Sequence, residues 1–256
     1  MRILISNDDG VFAPGIKALY EELKQIADVT VIAPLEERST TGHSLHLSSV
    51  LRLEKISEDI YGCSGFPADC ILMGLGHVLK GKRPDLVVSG INRGANMGQD
   101  LYYSGTLAAA REATFHGVPS IGVSLNLPFN NLAEKANYET AAKTISRLVQ
   151  DQIHTKIPPF TLLNVNVPNV LQKEVKGVKY TKIGFRRYSD EISARVDCRN
   201  REYYWIAGTY NGHLDIPGTD CVAVHENYVA VTPHKVIDAV DISTSVLQAY
   251  LENLTL

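Results

Sequence analysis

The chain has 256 residues, enough to bury a sizeable core without disulfide or metal staples. With 28 acidic against 25 basic residues and a formal charge of −3, it lacks the basic footprint of a protein that grips a nucleic-acid duplex or a membrane surface, so a small-molecule ligand is expected. Its four cysteines (Cys63, Cys70, Cys198 and Cys221) are irregularly spaced with no C-x-x-C pair, which excludes a zinc-finger pattern and leaves them as buried or incidental thiols.

Arg2-Ile3-Leu4-Ile5-Ser6 is a short apolar run ended by a polar turn, as in a strand buried on both faces. After Pro14-Gly15, apolar residues at Ile16, Leu19, Tyr20, Leu23 and Ile26 predict an amphipathic helix, and 28–33 a second buried strand. Strand, helix and strand within about thirty residues make a right-handed crossover with parallel strands. The alternation continues with helices near 68–79, 105–116 and 133–149 and strands at 86–89, 120–123 and 161–167. The expected fold is α/β, a Rossmann-like doubly wound and mostly parallel sheet.

Beyond about residue 176 Tyr, Val and Thr become frequent, and 186–205 mixes charges with β-formers, so hairpins are expected in place of crossovers. A long loop is expected at 208–218 and a closing helix at 241–254. Residues 1–175 are thus taken as the catalytic core, and 176–256 as a β-rich extension of the same domain that serves oligomerisation. No stretch approaches the ~20 apolar residues of a membrane span. Asp8 and Asp9 also arrive before a secretory apolar run could develop, so a cytoplasmic location is expected.

In open α/β sheets ligands sit beyond the carboxyl ends of the strands, which directs attention to three polar loops. Asn7-Asp8-Asp9-Gly10 sets two adjacent carboxylates at the end of the first strand, where paired negative charge is unfavourable unless a cation is bound. The same residue types also suit an ordinary turn. The loop after the second strand carries Ser39, a further hard oxygen, with His43 and His46 as possible proton donors or as bystanders. The third, 89–98, combines glycines with Asn92, nearest the strand end and able to ligate through its amide oxygen, and Asn96, able to donate to an oxyanion. Next, Ser104-Gly105-Thr106 opens a strong helix former, a place where free N–H groups and the helix dipole bind phosphate, or where a serine simply caps the helix. A hard-cation site and an anion-binding helix start on one sheet edge together point to phosphoryl transfer. Neither a Walker pattern nor a dinucleotide fingerprint follows a strand; Gly74-Leu75-Gly76 falls inside a predicted helix.

At these same residues the sequence resembles the stationary-phase survival protein E (SurE) nucleotidases. The matching stretches are ILISNDDG with APGI, VIAP…ERS…GHS, PDLVVSGIN.G.N.G and YSGT.AAARE, followed by aromatic and glycine residues at 204–208, GTD at 218–220 and YVAVTP at 228–233. The resemblance spans nearly the whole chain. It implies a Rossmann-like core with an extended β-rich C-terminal part, homodimers or homotetramers, and hydrolysis of nucleoside 5′- and 3′-monophosphates with one divalent cation, Mg²⁺ or Mn²⁺, per subunit. The family's metal ligands fall on Asp8, Asp9, Ser39 and Asn92, and its phosphate contacts on Asn96, Ser104, Gly105 and Thr106. Asp8, Asn96 and Ser104 are expected to be catalytic. Many members carry glycine after the ligating serine, where this chain has Thr40 and Thr41 before Gly42. The rival expectations are a metal-dependent glycosyltransferase using a nucleotide sugar and a nucleotide-binding module without turnover.

Overall fold

The computed structural model describes residues 1–127, 135–206 and 208–237. In chain order it contains β1 (Arg2–Ser6), α1 (Pro14–Leu23), β2 (Asp28–Pro34), β3 (Leu53–Lys55), β4 (Ile60–Cys63), α2 (Pro67–Met73), β5 (Leu86–Arg93), α3 (Gly105–Phe115), β6 (Ser120–Asn126), α4 (Tyr138–Gln150) and β7 (Thr161–Pro168). There follow β8 (Val178–Tyr180), β9 (Arg186–Tyr188), β10 (Ile192–Val196), β11 (Glu202–Ile206), β12 (Tyr210–His213), α5 (Asp220–His225) and β13 (Val229–Lys235). Nine of the described strands form one sheet in the order β3-β4-β2-β1-β5-β6-β7-β13-β8. From β4 to β7 every neighbouring pair is parallel.

The central strands alternate their side chains between two cores, as the two-residue period of a strand requires. Ile3, Ile5, Val29, Val31 and Val88 pack on the side of α1 and α4, while Leu4, Ile32 and Val87 pack on the side of α2 and α3. Both faces are therefore dry, which explains the nearly continuous apolar runs. Helix α1 starts on Pro14, whose missing N–H costs nothing at that position, and buries Gly15, Ile16, Leu19 and Leu23.

The outer parts differ from expectation. The helix expected at 68–79 is α-helical only to Met73 and continues as a wider turn over Gly74–Val78, where two glycines weaken the helix. The helix expected from 133 begins at Tyr138, because Asn137 is drawn toward Asn169 by hydrogen bonds from its backbone and side-chain nitrogens; part of the expected start lies outside the described residues. The stretch expected as a loop at 208–218 contains β12, which pairs with β9. Hairpin β10–β11 matches the expected pattern, but β8 and β13 join the main sheet, antiparallel to β7 through β13 and parallel between β13 and β8. Pro233 disguises β13. It sits beyond the Val229–Val231 stretch that pairs with β8, so its missing N–H faces no second strand. The closing helix expected at 241–254 lies outside the described residues.

Gly15 decides how closely α1 can approach β5, because a methyl there would lie 2.1 Å from the Ile91 carbonyl oxygen. Overpacking against fixed backbone costs about 1–3 kcal/mol or more. Gly15→Ala is expected to lower the melting temperature by roughly 4–10 °C, followed by circular dichroism. Gly76→Ala, whose methyl meets nothing within 4 Å, should leave it within a few degrees of the parent or raise it.

Candidate functional site

Strand β1 ends in a turn locked from within. Asn7 is buried, donates to the Gly10 carbonyl at 2.8 Å and accepts from the Gly10 N–H at 3.2 Å, while Gly10 takes φ +102°. Turn and carboxylate site are thus the same object. Asp8 is buried, and Thr106 Oγ1 donates to its Oδ1 at 2.5 Å. Asp9 Oδ2 accepts from the Arg93 N–H at 3.0 Å, and the Asp8 carbonyl accepts from the Arg38 N–H at 2.7 Å. The loops after β1, β2 and β5 are therefore tied together through two consecutive residues.

Burial pushes the Asp8 carboxyl above its ordinary range, although Thr106 and the Gly105 and Thr106 amides favour its charge. Asp9 is pushed up to about 7, by burial first and then by the neighbouring Asp8 charge, against the Arg93 amide. Two carboxylates that resist joint ionisation form a site complementary to a cation.

Five of the eight expected site residues, Asp8, Ser39, Asn92, Asn96 and Ser104, line one cleft of about 1090 Å³. Asp9, Gly105 and Thr106 are not among its lining residues. Ser39 is exposed and donates to Glu37 Oε1 at 2.6 Å. Asn92 donates its Nδ2 to the Gly94 carbonyl at 2.8 Å, which orients the amide and leaves Oδ1 as acceptor. Among the described residues no three His, Cys, Asp or Glu side chains gather as a metal cluster, so any cation here would take neutral oxygens beside the two carboxylates. Thr40 holds φ +55°, a left-handed conformation unusual for a β-branched residue.

Asn96 is fixed on every side. Its Nδ2 donates to Ser124 Oγ at 2.8 Å, its N–H donates to Asn166 Oδ1 at 2.9 Å, and its carbonyl accepts from Asn164 and Asn166. Ser104 caps α3, its Oγ accepting from the Leu107 N–H at 3.1 Å, which keeps its own hydroxyl proton for another acceptor. At Gly105 a methyl would stand 2.8 Å from Asp8 Cβ, so only glycine lets α3 begin this close to the carboxylate. The Gly105 and Thr106 amides face Asp8 in this structure. His43 bonds to Glu112 at 2.7 Å and stacks on Phe115, and His46 packs against Phe66; neither lines the cleft.

Sequence reasoning did not find Asn164 and Asn166, fully buried in β7, although two asparagines alternating within TLLNVNVP are a readable signal of buried polar work. It also did not place Arg186, Tyr188 and Tyr210, which form the outer wall of the cleft. They come roughly 90 to 110 residues after Asp100 and carry no local signature. Asp220 secures that wall from behind, accepting from the Gly98 N–H at 3.0 Å and the Gly184 N–H at 2.8 Å.

Residues 3–190 match the family described as Survival protein SurE. The chain is 44% identical over 250 residues to the 5′-nucleotidase SurE of Geobacter sulfurreducens, covering 98% of this chain and 94% of that one. It is 46% identical over 237 residues to the 5′-nucleotidase SurE of Thermosipho africanus, with 91% of each chain covered. The crystal structure of the SurE protein from Aquifex aeolicus superposes with a TM-score of 0.86 at 38% identity, covering 99% of this chain and all of that one.

With a folded value of about 7 against an unfolded value near 3.9, Asp9 binds its proton more tightly in the folded chain. Its contribution to stability is therefore full below the unfolded value and is lost as pH rises through roughly 4 to 7, and Asp8 acts in the same direction. In EDTA the melting temperature should fall across that window, and Asp9→Asn should flatten the fall and melt on the order of 5 °C higher at neutral pH. Identical pH slopes for the two proteins would contradict carboxylate repulsion at this site.

Proposed function

The chain belongs to the SurE survival-protein family, and from that premise we propose that it is a divalent-metal-dependent phosphatase hydrolysing nucleoside 5′-monophosphates, and 3′-monophosphates as well, to nucleoside and phosphate. The observation that carries this reading is the adjacent Asp8–Asp9 pair at the end of β1, with Asp8 buried and lining one cleft together with Ser39, Asn92, Asn96 and Ser104.

The donor set fits a hard cation. Two carboxylates, the Ser39 hydroxyl and the Asn92 amide oxygen would hold one Mg²⁺ or Mn²⁺ per subunit, and all are oxygen donors. When bound, the cation would supply Lewis-acid polarisation of a phosphoryl oxygen and a more acidic attacking water. The remaining work falls to the chain. Ser104 holds a hydroxyl proton not used by its own helix cap, and Asn96 keeps a second amide hydrogen beyond the one given to Ser124. Both would donate to phosphoryl oxygens, beside the positive end of α3 at Gly105 and Thr106. Because Asn96 is pinned through its backbone and side chain, it reorganises little as charge grows on phosphorus. Thr106 holds Asp8 in place.

A homodimer or homotetramer in the cytoplasm completes the proposal. Hairpin β10–β11 lies outside the main sheet and exposes Ile192, Val196, Tyr204 and Ile206 on one face and Trp205 on the other, apolar area suited to a second subunit. No helix among the described residues is long and apolar enough to cross a membrane.

Phosphate release from a panel of nucleoside monophosphates tests the core of the proposal. Release should vanish in EDTA, return with Mg²⁺ or Mn²⁺, and drop by about two orders of magnitude or more in Asp8→Asn. Folded protein that releases no phosphate with any metal or nucleotide would falsify the nucleotidase assignment.

A further inference from the structure

The outer wall of the cleft is a stack of three side chains that the phosphate chemistry does not use. Arg186 lies with its guanidinium 4.4 Å from the Tyr210 ring centre and 5.4 Å from that of Tyr188, and the two rings are 5.7 Å apart. The stack is anchored from one side. Asp100 pairs with Arg186 Nη1 at 2.6 Å and accepts from the Tyr188 hydroxyl at 2.5 Å. Gln99 exchanges two hydrogen bonds with the Arg186 backbone, at 2.7 and 2.9 Å. Arg186 is thereby neutralised and its side chain is only 15% exposed, so it is poorly placed to bind an anion. What the stack offers is aromatic face. Tyr210 is 43% exposed and lines the cleft, although the guanidinium covers part of its ring.

Position along the chain relates this wall to the phosphate end. Asp100 stands in the 3₁₀ turn Gly98–Tyr102 and Ser104 caps the helix just after it. Asp100 and Ser104 line the same cleft as Arg186, Tyr188 and Tyr210. A mononucleotide whose phosphate sits by Ser104 would bring its base toward the stack.

We propose that Tyr210, backed by Arg186 and Tyr188, is the platform on which the nucleobase stacks, so that the enzyme recognises the base by its face. This rests on the nucleotidase reading of the cleft. Face contact is tolerant, because every base has a π-face, so purine and pyrimidine nucleotides are both accepted. Arg186, Asp100 and Gln99 are positioning residues that set the ring's tilt. The guanidinium behind the ring adds rigidity, since it cannot leave without unpairing Asp100.

The test uses the ratio of kcat/KM for AMP, and separately for CMP, to kcat/KM for ribose 5-phosphate, which has the sugar and phosphate without the base. In Tyr210→Leu that ratio should fall roughly five- to hundredfold for both nucleotides, through KM, and in Tyr210→Phe it should stay within about threefold of the parent. An unchanged ratio in Tyr210→Leu, or an equal fall in Tyr210→Phe, overturns the platform. Adenosine binding measured by calorimetry needs no turnover. Saturable binding by the parent, weakened in Tyr210→Leu and kept in Tyr210→Phe, supports the platform even if no phosphate is released, an outcome that would defeat only the hydrolase reading. No adenosine binding by a parent that does hydrolyse AMP defeats the platform alone.

Discussion

Two adjacent carboxylates at the end of a central strand, Asp8 buried and Asp9 half-buried, are the constraint around which this structure is arranged. A buried carboxylate pair is unfavourable by several kcal/mol unless hydrogen bonds or a cation compensate. Asp8 and Asp9 receive only part of that compensation from the chain: Thr106 and the α3 amides for one, the Arg93 amide for the other. The residual charge repulsion leaves the pair complementary to positive charge, and each hydrogen bond that relieves it also joins β1 to another loop.

The sheet order explains why these loops can meet. From β1 the chain moves to β2 on one side, passes through β3, β4 and α2, and returns to β5 on the other side of β1. Successive crossovers therefore leave in opposite directions at β1, opening a crevice beyond the strand ends where no helix covers the sheet. The loops after β1 and β5 border that crevice, and α3 begins against Asp8 because Gly105 has no side chain to keep it away. Close approach of helix start and carboxylate is thus a packing result with an electrostatic consequence.

Much of this was legible in the chain because the central strands are buried on both faces. Runs such as Ile3 to Ile5 and Leu86 to Val88 have no polar face to confuse a reader, and the loops after them are abruptly polar. Legibility failed where structure depends on distant partners. Leu53–Lys55 is too short and too polar to announce an edge strand, and Val229–Lys235 hides behind Pro233. The cleft's outer wall was invisible for the same reason. Tyr188 and Tyr210 acquire meaning only when β9 and β12 pair and are strapped to Asp100. Ser104 shows a further limit, since its two readings were not exclusive: it is a helix cap and it also lines the cleft.

The cleft therefore joins two halves of different physical character. On the inner half, Asn96 is held by Ser124, Asn164 and Asn166, all fully buried within the parallel sheet, so its position is set by the core itself. A buried network of this kind is satisfied only as a unit, and loss of one asparagine leaves unpaired groups in a low-dielectric interior. The outer half is a two-stranded ribbon outside the main sheet, fastened by the side chains of Gln99, Asp100 and Asp220. A ribbon fastened by a few side chains tolerates exchange of its exposed rings far better than the sheet tolerates exchange of its asparagines. If the cleft works as proposed, phosphate chemistry would fall on the rigid half and base contact on the adjustable one, an arrangement in which selectivity can vary without disturbing the carboxylate pair.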